Sequence, residues 1–235
     1  DRGIAVIQTN DFGYAFTGQT IIANQHQIWL VKTDSEGTKE WQKTYGLSNT
    51  SIKGESLVQT SDGGFLVVGG ISSVGNGLDL WILKTDQFGE TEQEITQGGI
   101  SSDQAYSIQE TFPGSGEYLI IGSTRSFGNG GYDAWVLKIN ESGNILWNNT
   151  YGGSENDVGY SIEATEQDNI ITYTFCGKTR SYGNGNDDSD DDCYSNVHDC
   201  LGECDGIAIV DNCGVCAGGN IDQDCAGICF GDNVV

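Results

Sequence analysis

The chain contains no methionine, one proline and only two histidines, and neither lysine nor arginine occurs after Arg180. Each scarcity excludes something. His26 and His198 lie in different parts of the chain and in no triad-like or metal-like motif. Serine is plentiful but never sits in a Gly-x-Ser-x-Gly elbow, so no catalytic constellation is legible. Long apolar runs are also missing: none approaches the ~20 residues of a membrane-spanning helix, and no signal-peptide pattern stands at the start. A first residue Asp1 in place of methionine leads to the expectation of a processed chain or a piece of a longer one. The lack of late basic residues makes the charge uneven. Of the net charge of −24, the first 185 residues hold 22 acids against 10 bases, and the rest carry 12 acids and no base. Such a balance repels nucleic acid and anionic membrane and suits divalent cations or a salty exterior.

Glycine is abundant, with 35 residues, and it recurs at fixed places. In Gly130–Gly153, the apolar run Asp133-Ala134-Trp135-Val136-Leu137-Lys138 has the length of a strand buried on both faces. Asn140-Glu141-Ser142-Gly143 then makes a tight turn, and Ile145-Leu146-Trp147 begins a return strand that stops at Gly152-Gly153. Two earlier copies of this hairpin start at Ile28 and Leu80, the second with a degraded return strand. Trp29, Trp81 and Trp135 lie 52 and 54 residues apart, and Gly37, Gly89 and Gly143 keep the same intervals. A fixed period of this size marks a solenoid, a propeller or an array.

Two further strands precede each hairpin. They are Ala5–Thr9 and Tyr14–Gly18 in the first repeat, Glu55–Thr60 and Phe65–Gly69 in the second, and Ala105–Thr111 and Tyr118–Gly122 in the third. A Gly-Asn-Gly loop follows the second strand at Gly75–Gly77 and Gly128–Gly130. Four short strands joined by tight turns read as a four-stranded antiparallel meander, and no helix-period segment of useful length occurs. A fourth repeat begins with Gly159–Thr165 and Tyr173–Gly177, and Thr179–Gly185 copies Thr124–Gly130. Its third strand is replaced by Asp187-Asp188-Ser189-Asp190-Asp191-Asp192-Cys193, which places a domain boundary near residue 186. The expected fold is all-β: a β-propeller-type array of about three and a half blades over residues 1–186, then an irregular Asp/Cys-rich segment over 187–235. In that segment Asp199–Cys204 recurs as Asp224–Cys229, with Asp211–Cys216 between them. The register of this shorter repeat stops partway, and truncation is expected.

The first part resembles bacterial and archaeal surface proteins built from kelch-like or quinoprotein-like propeller repeats. The resemblance rests on the Asp-x-Trp-x-Leu-Lys strand and the closing Trp and Tyr-Gly-Gly. Asp34, Gly37 and Trp41, and Asn140, Gly143 and Trp147, also resemble the tryptophan-docking motif of quinoprotein-type propellers, with Gln93 departing from it in the second copy. That resemblance implies a tryptophan packed between blades; it does not imply a quinone cofactor. The tail resembles Asp-Cys-Gly-x-Cys repeats of secreted bacterial proteins and, more faintly, calcium-binding thrombospondin type 3 repeats.

Candidate chemistry concentrates in the tail. Cys193, Cys200, Cys204, Cys213, Cys216, Cys225 and Cys229 lie where no core can form, so disulfides are expected to staple the segment, which points outside the cell. Zinc is the rival, since Cys213 and Cys216 have ligand spacing. Cys176 stands where other repeats have Val68 and Ile121, as either a buried thiol or the partner of Cys193. The alternating oxygens of Asp188, Asp190 and Asp192, and of Asn220, Asp222 and Asp224, suit calcium, although both runs lack the following glycine and distant glutamate of an EF-hand loop. The competing reading is a solvated acidic linker. Asp79 and Asp133 are expected to cap loop backbone. Asn49, Asn140 and Asn148 open glycosylation sequons.

A non-enzymatic, extracellular or surface-attached structural or adhesive protein is therefore expected, engaging other copies of itself. The unfinished fourth blade leaves a strand edge and a face to be covered by further blades, by the tail folded back or by a neighbouring copy. The polar, Gly-rich tail is the poorest candidate, subunit contact is favoured, and a non-closing head-to-tail contact would build a fibre. The alternative is a glycan-binding propeller with its ligand on the face of the Gly-Asn-Gly loops, near Tyr132 and Tyr182. A propeller hydrolase or quinoprotein is a third reading.

Overall fold

The computed structural model describes residues 1–46, 50–73, 77–167 and 170–181. Every regular element among them is a β-strand. The first sheet runs in the order β1 (Arg2–Gln8), β2 (Tyr14–Ile22), β3 (Gln25–Thr33) and β4 (Lys39–Tyr45). The second holds β5 (Thr50–Gln59), β6 (Phe65–Ser73), β7 (Leu78–Thr85) and β8 (Thr91–Gln97). The third holds β9 (Asp103–Glu110), β10 (Glu117–Thr124), β11 (Asp133–Asn140) and β12 (Ile145–Tyr151). A terminal hairpin pairs β13 (Val158–Gln167) with β14 (Ile170–Lys178). All pairings are antiparallel, so each repeat is one meander.

The turn between third and fourth strands follows from its chemistry. Asp34 Oδ1 accepts from the N–H groups of Glu36 at 2.9 Å and Thr38 at 2.8 Å, and Asp86 holds Phe88 and Glu90 in the same way. Gly37, Gly89 and Gly143 take φ of 83°, 76° and 73°, the left-handed conformation that closes such a loop. β8, expected to be degraded, is as long as β4 and β12, at seven residues. Its ladder with β7 is made by backbone groups, so Gln93 sits opposite Lys84 just as Trp41 sits opposite Lys32.

The first strand of every repeat carries a bulge, at Ile4, Glu55, Tyr106 and Tyr160. Opposite it lies a glycine: Gly18, Gly69, Gly122 or Gly177. A Cβ at any of the four would collide with a backbone carbonyl of the first strand, that of Gln104 in the case of Gly122. This is why the apolar run of each second strand ends in glycine.

Strand alternation sends apolar side chains to both faces, and the facing surfaces of successive sheets pack together. Ala15, Ile28 and Leu30 of the first sheet pack on Leu57, Phe65, Val67, Trp81 and Leu83 of the second. The other face of the second, with Leu66, Val68, Leu80 and Ile82, meets Ile108, Tyr118, Ile120, Trp135 and Leu137 of the third. Leu119, Ile121 and Val136 then meet Ile162, Tyr173 and Phe175 of the hairpin. Return-strand tryptophans lie in the same junctions: Trp41 is 5.9 Å from Phe65, edge to face, and Trp147 is 5.7 Å from Tyr173.

Candidate functional site

Two features share the end of the sheets where first and third strands begin. The first is a buried carboxylate latch at the head of β9. Asp103 Oδ1 accepts from the Thr124 hydroxyl at 2.5 Å and from the Arg125 N–H at 3.2 Å. Its Oδ2 accepts from the Ser126 hydroxyl at 2.6 Å and the Gly99 N–H at 2.8 Å. Asp157 repeats this, accepting from the hydroxyls of Thr179 at 2.5 Å and Ser181 at 2.6 Å and from the Gly153 N–H at 2.9 Å. In the first sheet Asp1 accepts from Thr20 at 2.6 Å. The second sheet fills the same ladder position with Ile52 opposite Ile71, both buried. Either solution avoids an unsatisfied polar group in a buried place.

A second carboxylate abuts each of the two fully formed latches. Gly152 lies against the oxygens of Asp133 and Asp157, and Gly98 against those of Asp79 and Asp103, where any side chain would strike both. Asp133 Oδ2 accepts from the Asn129 N–H at 2.9 Å, so it caps the Gly128–Gly130 loop as expected. Burial raises the Asp133 carboxyl above the ordinary range; the Asn129 bond offsets part of that, and the Asp157 charge adds to it. Burial and then the Asp103 charge raise Asp79. Asp157 goes the other way: burial alone would raise it, but the Ser181, Thr179 and Gly153 donors outweigh that and lower it. Such carboxylates, satisfied by the chain's own donors, hold strands together. Among the described residues no group of three or more His, Cys, Asp or Glu is placed to hold a metal ion.

The second feature is a pocket of about 270 Å³, lined by Leu78, Ser102, Gln104, Tyr106, Ser123, Tyr132 and Val158. The latches set its walls. Leu78 and Tyr132 occupy the same repeat position in successive sheets, three residues before Trp81 and Trp135. Gln104 and Val158 are likewise equivalent, each following a first-strand position at Asp103 or Asp157. The Leu78 N–H donates to Ser102 Oγ at 3.3 Å, and the Tyr132 N–H to Asn156 Oδ1 at 3.0 Å, which ties each wall to the next sheet. Tyr106, a bulge residue, meets Tyr160 edge-on at 5.4 Å, and the Arg125 guanidinium lies 5.7 Å from the centre of the Tyr132 ring. Gln104 Nε2 donates to Glu55 Oε1 at 3.4 Å. Burial raises the Glu55 carboxyl, and the charges of Lys53 and Arg2 oppose it.

Of the residues singled out in the sequence, Tyr132 lies on this pocket. Cys176 is on β14 opposite Ser161, half-buried, facing away from the third sheet while Phe175 faces toward it. Asp188, Asp190, Asp192, Asn220, Asp222, Asp224, the seven later cysteines and Tyr182 lie outside the described residues. Asn140 Oδ1 accepts from the Asn144 N–H at 2.9 Å, and Asn148 Oδ1 from Trp135 Nε1 at 3.2 Å, so both sequon side chains are engaged in the sheet. Sequence reading missed Asp103 and Asp157. Their interval of 54 equals that of Trp81 and Trp135, and the copied Thr-Arg-Ser segments carry their donors. No sequence signal joins Gln104 to Leu78 and Tyr132, because only the packing of neighbouring sheets does so.

No helix among the described residues is long and apolar enough to cross a membrane. No family model matches the chain, and no curated protein sequence does. Among solved structures, the chain is similar to a GH32 beta-fructofuranosidase of Bombyx mori, solved in complex with sucrose, at 12% identity and a TM-score of 0.40. The match covers 70% of this chain and 40% of that one.

Proposed function

We propose that residues 1–186 are a propeller-type blade array of a non-enzymatic extracellular structural or adhesive protein, whose copies join through the open face of the first blade. One observation carries the reading. Leu57 and Phe65 of the second sheet are 2% and 0% exposed beneath the first sheet, whereas their repeat equivalents Val6 and Tyr14 are 66% and 39% exposed. Phe16 and Trp29, stacked edge to face at 5.3 Å, extend this face. It therefore has the register and residue classes that every later sheet buries against a preceding one, and leaving it in water forfeits that burial.

The far face of the terminal hairpin carries Glu163, Thr174 and Cys176, where the third sheet has Gln109, Leu119 and Ile121. Head-to-tail joining would set the first face of one copy on that end of the next, and a contact that does not close grows a fibre. Calcium at Asp188, Asp190 and Asp192 and at Asn220, Asp222 and Asp224, with disulfides among the cysteines after residue 186, completes the extracellular reading. Its support is the concentration of acid and cysteine in that segment.

Light scattering and negative-stain microscopy on the full chain test the assembly. The native chain is expected to grow in mass with concentration, and Val6→Lys to shift it to monomer without lowering thermal stability. Growth that stops at dimers would assign pairing of two first faces, and open-ended growth the head-to-tail contact. A native chain that stays monomeric up to its solubility limit overturns the assembly.

A further inference from the structure

The pocket at the junction of the second and third sheets and the hairpin is built by different positions from the face that carries assembly, and it supports an inference independent of it. Its volume, about 270 Å³, is just below the roughly 300–1,000 Å³ of sites for drug-sized ligands, so it suits a single ring. The frame positions beneath it repeat from sheet to sheet, while the lining positions change: Leu78 against Tyr132, Gln104 against Val158. The latch does not dictate those lining side chains.

Their chemistry is mixed in a particular way. Tyr106 and Tyr132 offer aromatic surface, and the stacked Arg125 braces the second ring. Glu55, acceptor-only when ionised, takes an N–H of the Gln104 amide and so leaves the Gln104 carbonyl oxygen to accept. Ser102 Oγ accepts from the Leu78 N–H and keeps its own O–H to donate. A donor and an acceptor beside aromatic surface match vicinal hydroxyls on a ring with C–H faces. Among the described residues no charged side chain lines the pocket, and the strongly acidic chain disfavours an anion.

We propose that this pocket binds one neutral pyranose ring, the terminal sugar of a glycan, with Tyr106 and Tyr132 against its C–H surface and Ser102 and Gln104 on its hydroxyls.

Calorimetric and NMR titration of the full chain with methyl β-D-glucopyranoside, methyl β-D-galactopyranoside and methyl α-D-mannopyranoside tests it, with a methyl glucuronide as the charged counterpart. Saturable binding of at least one neutral glycoside is expected in the millimolar range, as suits a single shallow ring site. Tyr132→Ala should weaken it about tenfold or more, and Tyr132→Phe much less, because the ring surface is retained. Gln104→Ala, which removes a pocket-lining amide and its long 3.4 Å bond to Glu55, should weaken binding while lowering the thermal transition only slightly, and serves if Tyr132→Ala fails to fold. Binding that is indifferent to both substitutions, binding of the glucuronide alone, or no saturable binding of any neutral glycoside overturns the proposal. Because the glycosides are monovalent, failure of assembly does not alter this readout.

Discussion

Asp103 and Thr124 occupy the ladder position that Ile52 and Ile71 fill one sheet earlier, so the chain holds two solutions to one packing problem. Asp103→Ala leaves the buried Thr124 hydroxyl, the half-buried Ser126 hydroxyl and the Gly99 N–H without their acceptor, and is expected to cost about 2–4 kcal/mol in urea unfolding. Replacing both Asp103 and Thr124 by isoleucine should cost less than the sum of the two single isoleucine substitutions, with a coupling of about 1 kcal/mol or more. Simple additivity would show that the pair is not interchangeable as a unit. Asp62 tests the opposite end of the second sheet. Burial alone would raise its carboxyl, but bonds from Thr60, the Gly64 N–H and Lys84 hold it at about 2, below the ordinary 3.8. A depressed carboxyl adds stability that is fully present above 3.8 and is lost as pH falls through about 2. Thermal melts between those limits should show that slope, and Asp62→Asn should flatten it. Asp133, raised in the fold, has the reverse sign: its contribution is present below the ordinary carboxylate value and is lost as pH rises through the raised one.

At the scale of one element, the bulge and its glycine decide how a first strand meets a second. Gly122 has no left-handed φ, so conformational freedom is not its reason for being glycine; the Gln104 carbonyl occupies the space of a Cβ. Gly122→Ala must therefore push β9 from β10 or flatten the bulge, and is expected to cost about 2–4 kcal/mol. Gly3→Ala, on a strand glycine with nothing within 4 Å of a Cβ, is the control and should change stability by less than about 0.5 kcal/mol. Equal effects in chemical denaturation would argue against the close carbonyl as the cause.

For the whole molecule, burial is shared between sheets, so no described sheet is complete without a neighbour. On the proposed disulfide and calcium staples, residues 187–235 are held by bonds and ions while the sheets are held by apolar contact. Reduction, or chelation of calcium, is expected to speed proteolysis after residue 186 while the β-sheet circular dichroism stays constant. Reaction of most of the seven tail cysteines with a thiol reagent in the native protein would sink the disulfide staples, and an unchanged digestion pattern with chelator would sink the calcium ones.

The sequence by itself determined the strands, their order in each repeat and the turns between them. These depend on local causes: alternation of side chains, an Asp or Asn accepting from the loop N–H groups, and a glycine at positive φ. It also showed the glycines that end each second strand, though not why they are there, since the obstructing carbonyl belongs to another strand. Asp133 was legible as a cap because its partner Asn129 is four residues away. Asp103 and Asp157 were not, because the hydroxyl donors that distinguish them lie more than twenty residues on and only the bulged pairing of two strands brings them together. The pocket was decided by tertiary structure alone. Leu78, Gln104 and Tyr132 become neighbours because adjacent sheets stack at constant register, and stacking is a property of faces, which no single strand displays.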